Sequence, residues 1–262
     1  MIQLLLYCLA GLGVGFFAGL FGVGGGLLIV PLLVFLFQQQ QIMPELIVHL
    51  SVGTSLAIIL FTSVISTWSH QQHGAVIWQK VRQLSPGLML GAGLGAGFAK
   101  ILSAAWLSDL FALFEISLAL FMLLNRRFTS PRLLGGFSIF SAGVGIGMVS
   151  SVVGVGGGTL TAPFLLSCRL SMSQAIGTAA ACGIPIAIAG SLSFWWLGGS
   201  ASGLPSGSSG YIYLPGVFGI GFFSLFSAPF GAALAHELPA QRLKYYFAGF
   251  LLLLGVHMLY VS

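Results

Sequence analysis

Apolar residues run along this chain in eight long stretches, approximately 2 to 37, 45 to 69, 83 to 102, 106 to 124, 133 to 168, 172 to 199, 211 to 235 and 240 to 261. Continuous runs of about 18 or more apolar residues are long enough to cross a hydrocarbon core as helices. Strands of a membrane barrel would instead alternate apolar and polar positions over about ten residues. The pattern therefore predicts an all-α polytopic membrane protein. The first and fifth stretches are too long to be single crossings: about 36 residues at 1.5 Å each extend about 54 Å, against a core of about 30 Å. Each contains three consecutive glycines, Gly24, Gly25 and Gly26 in GVGFFAGLFGVGGGLLIVPLL and Gly156, Gly157 and Gly158 in GIGMVSSVVGVGGGTLTAPFL. Glycine is the weakest helix former after proline, so the break is expected there. About a dozen residues follow the first glycine run before QQQQ at 38 to 41. That is roughly 18 Å of helix, too little for a second crossing, and it predicts a re-entrant or hairpin element.

The two glycine-rich segments are 132 residues apart and align at Gly13/Gly145, Gly15/Gly147, the whole GVGGG block and Pro31/Pro163. Further along, VGTS at 52 to 55 answers IGTA at 176 to 179, and GAGFAKIL at 95 to 102 answers GAALAHEL at 231 to 238. The chain is expected to consist of two homologous transmembrane repeats, 1–128 and 129–262, each of four elements. The glycines spaced by two to four in GLGVGFFAG and GAGLGAGFA, Gly93 among them, are expected to form close-packing helix faces.

Charge decides how the repeats are oriented. The chain has nine Lys and Arg and four Asp and Glu among 262 residues, with a mean hydropathy of +1.05. The basic residues are scattered, with no block of the kind that grips phosphates, so the net charge of +5 does not indicate nucleic acid. If all eight elements crossed once, Lys and Arg would divide nearly evenly between the two sides. If the first and fifth turn back instead, Lys80, Arg82, Arg126, Arg127, Arg132, Arg169, Arg242 and Lys244 share one side and only Lys100 remains on the other. The positive-inside rule then puts the eight in the cytoplasm and both termini outside. Three crossings per half make the second repeat inverted relative to the first. The opening Met-Ile-Gln lacks a basic n-region, so the first stretch is expected to belong to the mature protein.

Non-helical backbone at membrane depth is tolerated only beside protein or a water-filled cavity. A helix restarting after such a break presents unpaired N–H groups and the positive end of its dipole, which favour an anion. The expected substrate-binding shell is Gly24, Gly25, Gly26, Thr54, Ser55, Gly156, Gly157, Gly158, Thr159 and Thr178, with Thr161 beside it. Hydroxyls there could donate to an anionic oxygen. Glu115 near the centre of the fourth stretch and His49 in the second are candidates for proton coupling. Cys8, Cys168 and Cys182 lack metal-ligand spacing, so neither a metal nor another cofactor is expected. No nucleophile and base are placed by a motif and no phosphate loop is present in the sequence, so neither an enzyme nor an ATP-driven pump is expected.

The doubled GxGGG…P segments, HLSVGTSL, SHQQHGAVIW and the layout of two times four elements resemble the sulfite exporter TauE/SafE family, also called the 4-toluene sulfonate uptake permease group. The likeness spans essentially the whole chain. It implies a secondary transporter of small sulfur-containing anions of the sulfite, sulfonate, sulfoacetate or thiosulfate type in the cell membrane; with no ATP-driven pump expected, a proton or sodium ion is the expected coupling partner. The chain departs from a symmetric pattern in IGTA, which lacks the Ser of VGTS, and in the insertion GGSASGLPSGSSG at 198 to 210. A carrier of another small organic anion, such as a carboxylate, and a non-transporting membrane scaffold are the competing readings.

Overall fold

The computed structural model describes residues 2–21, 25–124, 136–237 and 239–261. Among these are ten helices: α1 (Ile2–Phe21), α2 (Gly26–Gln39), α3 (Pro44–Gln72), α4 (Trp78–Ile101), α5 (Ala104–Leu123), α6 (Gly136–Val153), α7 (Gly158–Ser167), α8 (Met172–Gly198), α9 (Leu214–Glu237) and α10 (Ala240–Val261). A two-stranded antiparallel turn, β1 (Ser208–Ser209) with β2 (Ile212–Tyr213), lies between α8 and α9. Five helices, α3, α5, α6, α8 and most of α9, are long and apolar enough to cross a membrane. The protein is an all-α polytopic membrane protein.

Local sequence explains the helix ends. Pro44 occupies the first turn of α3, where its missing N–H is harmless. Ser103 caps α5 by accepting from the Trp106 amide, and Ser171 and Gln174 form a reciprocal capping box on α8. Both long stretches break at their glycines. Gly25, at φ +79°, immediately precedes α2, and Gly154, at φ +71°, turns the chain out of α6. Side chains with a Cβ rarely adopt that left-handed conformation. The legs after the breaks have 14 and 10 residues, about 21 and 15 Å of helix.

Glycine-mediated contacts fix the direction in which neighbours run. Gly11 lies on Ile220, Gly15 on Ser224 and Gly19 on Ala228, so α1 and α9 are parallel. Gly87 lies on Phe140, Gly91 on Val144 and Gly95 on Met148, so α4 and α6 are parallel as well. Such faces replace side-chain packing with backbone approach, the usual solution where lipid supplies no hydrophobic drive. At the centre α3 and α8 run antiparallel, Gly53 meeting Phe194 and Ser63 meeting Gly183. Ser108 donates to the Met258 carbonyl and Gly255 rests on Ala112 and Glu115, which makes α5 and α10 antiparallel too.

Gly93 departs from the expectation of a packing face. A Cβ there would meet only the Ser193 hydroxyl, at 3.8 Å, and one at Gly97 would meet nothing within 4 Å. With 3.6 residues per turn, Gly91 and Gly95 share the face toward α6 while the alternate glycines turn away from it.

The two ends of the first broken stretch meet. Gln40, just after α2, donates through Nε2 to the Tyr7 hydroxyl at 2.5 Å, and Tyr7 also packs on Tyr213. The second stretch behaves alike: α6 runs with α4, and so does α8, whose residue Gly177 lies on Ala75 and Ser193 near Gly93. The chain must return between α6 and α8, and α7 is the return leg.

Candidate functional site

The two glycine breaks touch at the middle of the bundle. A Cβ on Gly26 would approach the Val155 Cα at 2.9 Å and the Gly154 carbonyl at 3.2 Å, and Ile59 of α3 packs against both Gly26 and Gly156. Ser55 donates to the Gly154 carbonyl at 2.8 Å, across 99 residues of sequence. These contacts tie α3 to the second break at the place where its backbone leaves the helical hydrogen-bond ladder.

The described residues of the first break are closely packed. Gly25 is surrounded by Ile29, Ala18 and Val14, and the positions that start α2, Gly26, Leu27, Leu28 and Ile29, are all buried. Gly24 lies outside the described residues. The second break, by contrast, opens onto a cavity of about 380 Å³ lined by Gly156, Gly157, Gly158 and Thr159. Its other walls are Thr62, Ser63, Ser66 and His70 of α3, Leu118, Phe121 and Met122 of α5, and Met172, Ile176 and Ala180 of α8. The cavity extends toward the end of the bundle where α3 and α5 finish and α8 begins. No Lys or Arg is among the described residues lining it.

Hydrogen bonding separates the expected site residues into two groups. Thr54 is fully buried and accepts from the Tyr213 amide at 2.9 Å. Thr178, equally buried, accepts from the Ile77 amide at 3.0 Å. The amides belong to the segments that start α9 and α4, so each hydroxyl secures the beginning of a helix and neither lines the cavity. The second group is unengaged. Among the described residues, the buried side-chain oxygens with no partner are both carboxyl oxygens of Glu115 and the hydroxyls of Ser150, Ser151, Thr159, Thr161, Ser191 and Ser208. Some buried helical hydroxyls bond back one turn, as Ser51 does to the Ile47 carbonyl at 2.7 Å and Thr67 to Ser63 at 2.6 Å. Those of Ser150, Ser151, Thr159 and Thr161 flank the second break and do not.

Thr159 combines both properties: its hydroxyl is buried without a partner, and the residue lines the cavity in the first turn of α7. The amides of that first turn have no intrahelical acceptor, while Thr161 N already bonds to the Gly157 carbonyl at 2.9 Å. The start of α7 thus brings amides without intrahelical acceptors and an unpartnered hydroxyl to the wall of the cavity. Thr62, Ser63 and Ser66 were missed by the sequence reading, although Ser63, Ser66 and His70 are spaced i, i+3, i+7, a polar helical stripe in an apolar segment.

His49 and Glu115 lie apart from this pocket lining. The His49 ring is wedged between two carbonyls, Nε2 at 3.0 Å from Ala99 O and Nδ1 at 3.3 Å from Glu45 O. It joins the beginning of α3 to the end of α4, opposite the cavity mouth, with Tyr211 against its face. Burial pushes the Tyr211 and Tyr213 phenols above the ordinary tyrosine value. Both therefore act as neutral packing groups. Glu115 is fully buried on α5. Among the described residues there is no group of His, Cys, Asp and Glu arranged to hold a metal.

Residues 7–258 match the family model described as Sulfite exporter TauE/SafE. A probable membrane transporter protein of Haemophilus influenzae is 38% identical over 257 residues, covering 97% of both chains. Probable membrane transporter proteins of Methanocaldococcus jannaschii and Bacillus subtilis are 26% and 25% identical, each alignment covering at least 95% of both chains. No solved structure matches.

Proposed function

The chain belongs to the sulfite exporter TauE/SafE family, and on that premise we propose that it is a secondary transporter carrying a small sulfur-containing anion by alternating access, with the second glycine break as its binding site. The observation that carries this reading is the cavity lined by Gly156 to Gly158 and Thr159 at the start of α7, with the buried, unpartnered Thr159 hydroxyl at its wall. An anion there takes its hydrogen bonds from amides and hydroxyls and its charge stabilisation from the α7 dipole. Ser63 and Ser66 offer further donors from the opposite wall.

The same proposal holds that residues 1–128 and 129–262 are inverted repeats. Exchanging the halves turns α1 on α9 into α6 on α4, while α3 with α8 and α5 with α10 map onto themselves. A two-fold axis lying in the membrane plane makes such self-pairs antiparallel, and both are. Two apolar crevices support it further. One is lined by Ala10, Gly13, Val14, Leu28, Pro31 and Leu254, the other by Ala142, Gly145, Ile146, Leu160, Pro163 and Leu118, position for position. Lys80, Arg82, Arg169, Arg242 and Lys244 belong to the end toward which the cavity extends, and Lys100 to the other. By the positive-inside rule the cavity faces the cytoplasm and the termini face outward. Arg126, Arg127 and Arg132, which contribute to that count, lie outside the described residues.

Counterflow in proteoliposomes, with sulfite, thiosulfate, sulfoacetate and acetate as probes, tests the function. A sulfur-containing anion is expected to exchange and acetate not to. Exchange of acetate alone would favour a carboxylate carrier, and no exchange at all would favour a scaffold.

A further inference from the structure

Glu115 is the buried ionisable group that anion binding leaves unused. Both its oxygens lack a partner among the described residues, and its side chain is completely enclosed. Among the described residues, the helices around it place no charged group beside it. On α10 it is faced by Gly255, whose Cβ position lies 3.4 Å from the Glu115 Cβ, with Leu251 and Leu252 a turn away. His257 of α10 lines the apolar crevice with Phe250 and Leu254, and Arg242, Lys244, Tyr245, Tyr246 and Tyr260 belong to the ends of that helix. On α3, Glu45, His49 and His70 lie near the ends. Helix α6 contains no titratable residue, and Asp109 sits more than a turn before Glu115 on α5.

Position gives this carboxyl its significance. Leu118 and Met122, three and seven residues further along α5, line the cavity, so Glu115 shares their face of the helix. It sits about one turn before the lining residue Leu118, and helical side chains lean toward the N-terminus, away from the cavity's mouth. Its repeat counterpart is the buried Leu251, so the feature exists once and does not serve the packing common to both halves. An ionisable group at such depth is costly and is retained where its proton is used.

We propose that Glu115 carries the coupling proton, an inference that rests on the cavity being the anion path. In one state the carboxylate takes a proton from water on one side and becomes a carboxyl. After the change of access it releases that proton to the other side, and the anion moves in the same cycle. No other reactant is required.

The test uses purified protein in proteoliposomes with the four probe anions. In Glu115→Gln, which keeps the shape but holds no exchangeable proton, counterflow should stay within about twofold of the wild type. Accumulation driven by a pH difference of about one unit, worth about tenfold for one coupled proton, should disappear. The retained counterflow shows that the variant is folded, and Glu115→Leu, which copies the residue at position 251, should lose the same gradient response. Gradient-driven accumulation by Glu115→Gln, or a wild type that exchanges an anion without regard to the pH difference, would overturn the inference. A wild type that exchanges none of the four would overturn the anion reading and this inference with it.

Discussion

The two GVGGG breaks share a sequence and differ in what surrounds them. At the first, Gly26 is pressed against Val155 and the helix restarts with Leu27 and Ile29. At the second, the same glycines line a cavity and the helix restarts with Thr159 and Thr161. The comparison teaches that a repeated backbone device need not serve the same purpose twice. Breaking the helix leaves amides without intrahelical acceptors in both halves, and among the described residues it is the second break that lines a cavity with unpartnered hydroxyls nearby. The first acts as the packed partner against which the second is held.

The largest effect that would break this comparison is expected at Gly157. A Cβ there would meet the Ala179 carbonyl and the Gly183 amide, both at 2.8 Å, and neither is a side chain that can move aside. Gly157→Val should push α7 off α8 and reduce transport by about 100-fold or more, since a misplacement of about 1 Å in a binding geometry is worth that much. Initial-rate counterflow alongside membrane abundance checks it. Gly25→Ala should behave differently: the position is left-handed, so the expected loss is about 1–2 kcal/mol of stability, seen as a lower melting temperature with transport by the folded fraction retained.

Thr54→Val and Thr178→Val sharpen the distinction between latch and ligand. Each leaves an amide, the buried one of Tyr213 or the half-buried one of Ile77, without its acceptor. Stability should fall by about 1–3 kcal/mol in each case, while anion affinity per folded molecule stays unchanged; thermal unfolding and calorimetry separate the two. Thr159→Val should do the reverse. Removing one neutral donor should weaken binding about tenfold or less and leave the melting temperature nearly constant. The smallest effect is expected at Gly13 and Gly145, where an added Cβ meets nothing within 4 Å, so alanine at either position should change neither property.

Much of this arrangement could be read from the sequence, because its causes are local or compositional. The length of the first and fifth stretches, their glycine triplets and the one-sided distribution of basic residues together called for turning elements, and Gln40 beside Tyr7 shows the ends of the first stretch meeting. What could not be read depends on partners distant in the chain. The Thr54 hydroxyl is matched to an amide 159 residues away and that of Thr178 to one 101 residues away. No spacing rule reveals that these hydroxyls accept from such distant amides. Gly91 and Gly93 look equivalent in GAGLGAGFA, and only the direction of α6 decides which one packs. Likewise, Ser63, Ser66 and His70 form a visible stripe, but its importance depends on α7 stopping short and leaving space opposite.

The central claim, that an anion binds at the second break from the cytoplasmic side, is tested most directly by Ser66→Cys in a background where Cys8, Cys168 and Cys182 are replaced. An impermeant thiol reagent applied to oriented membrane vesicles should label this cysteine from the cytoplasmic face only, and the anion that exchanges in counterflow should slow the labelling. Labelling from the outer face alone, or labelling indifferent to that anion, would contradict the account.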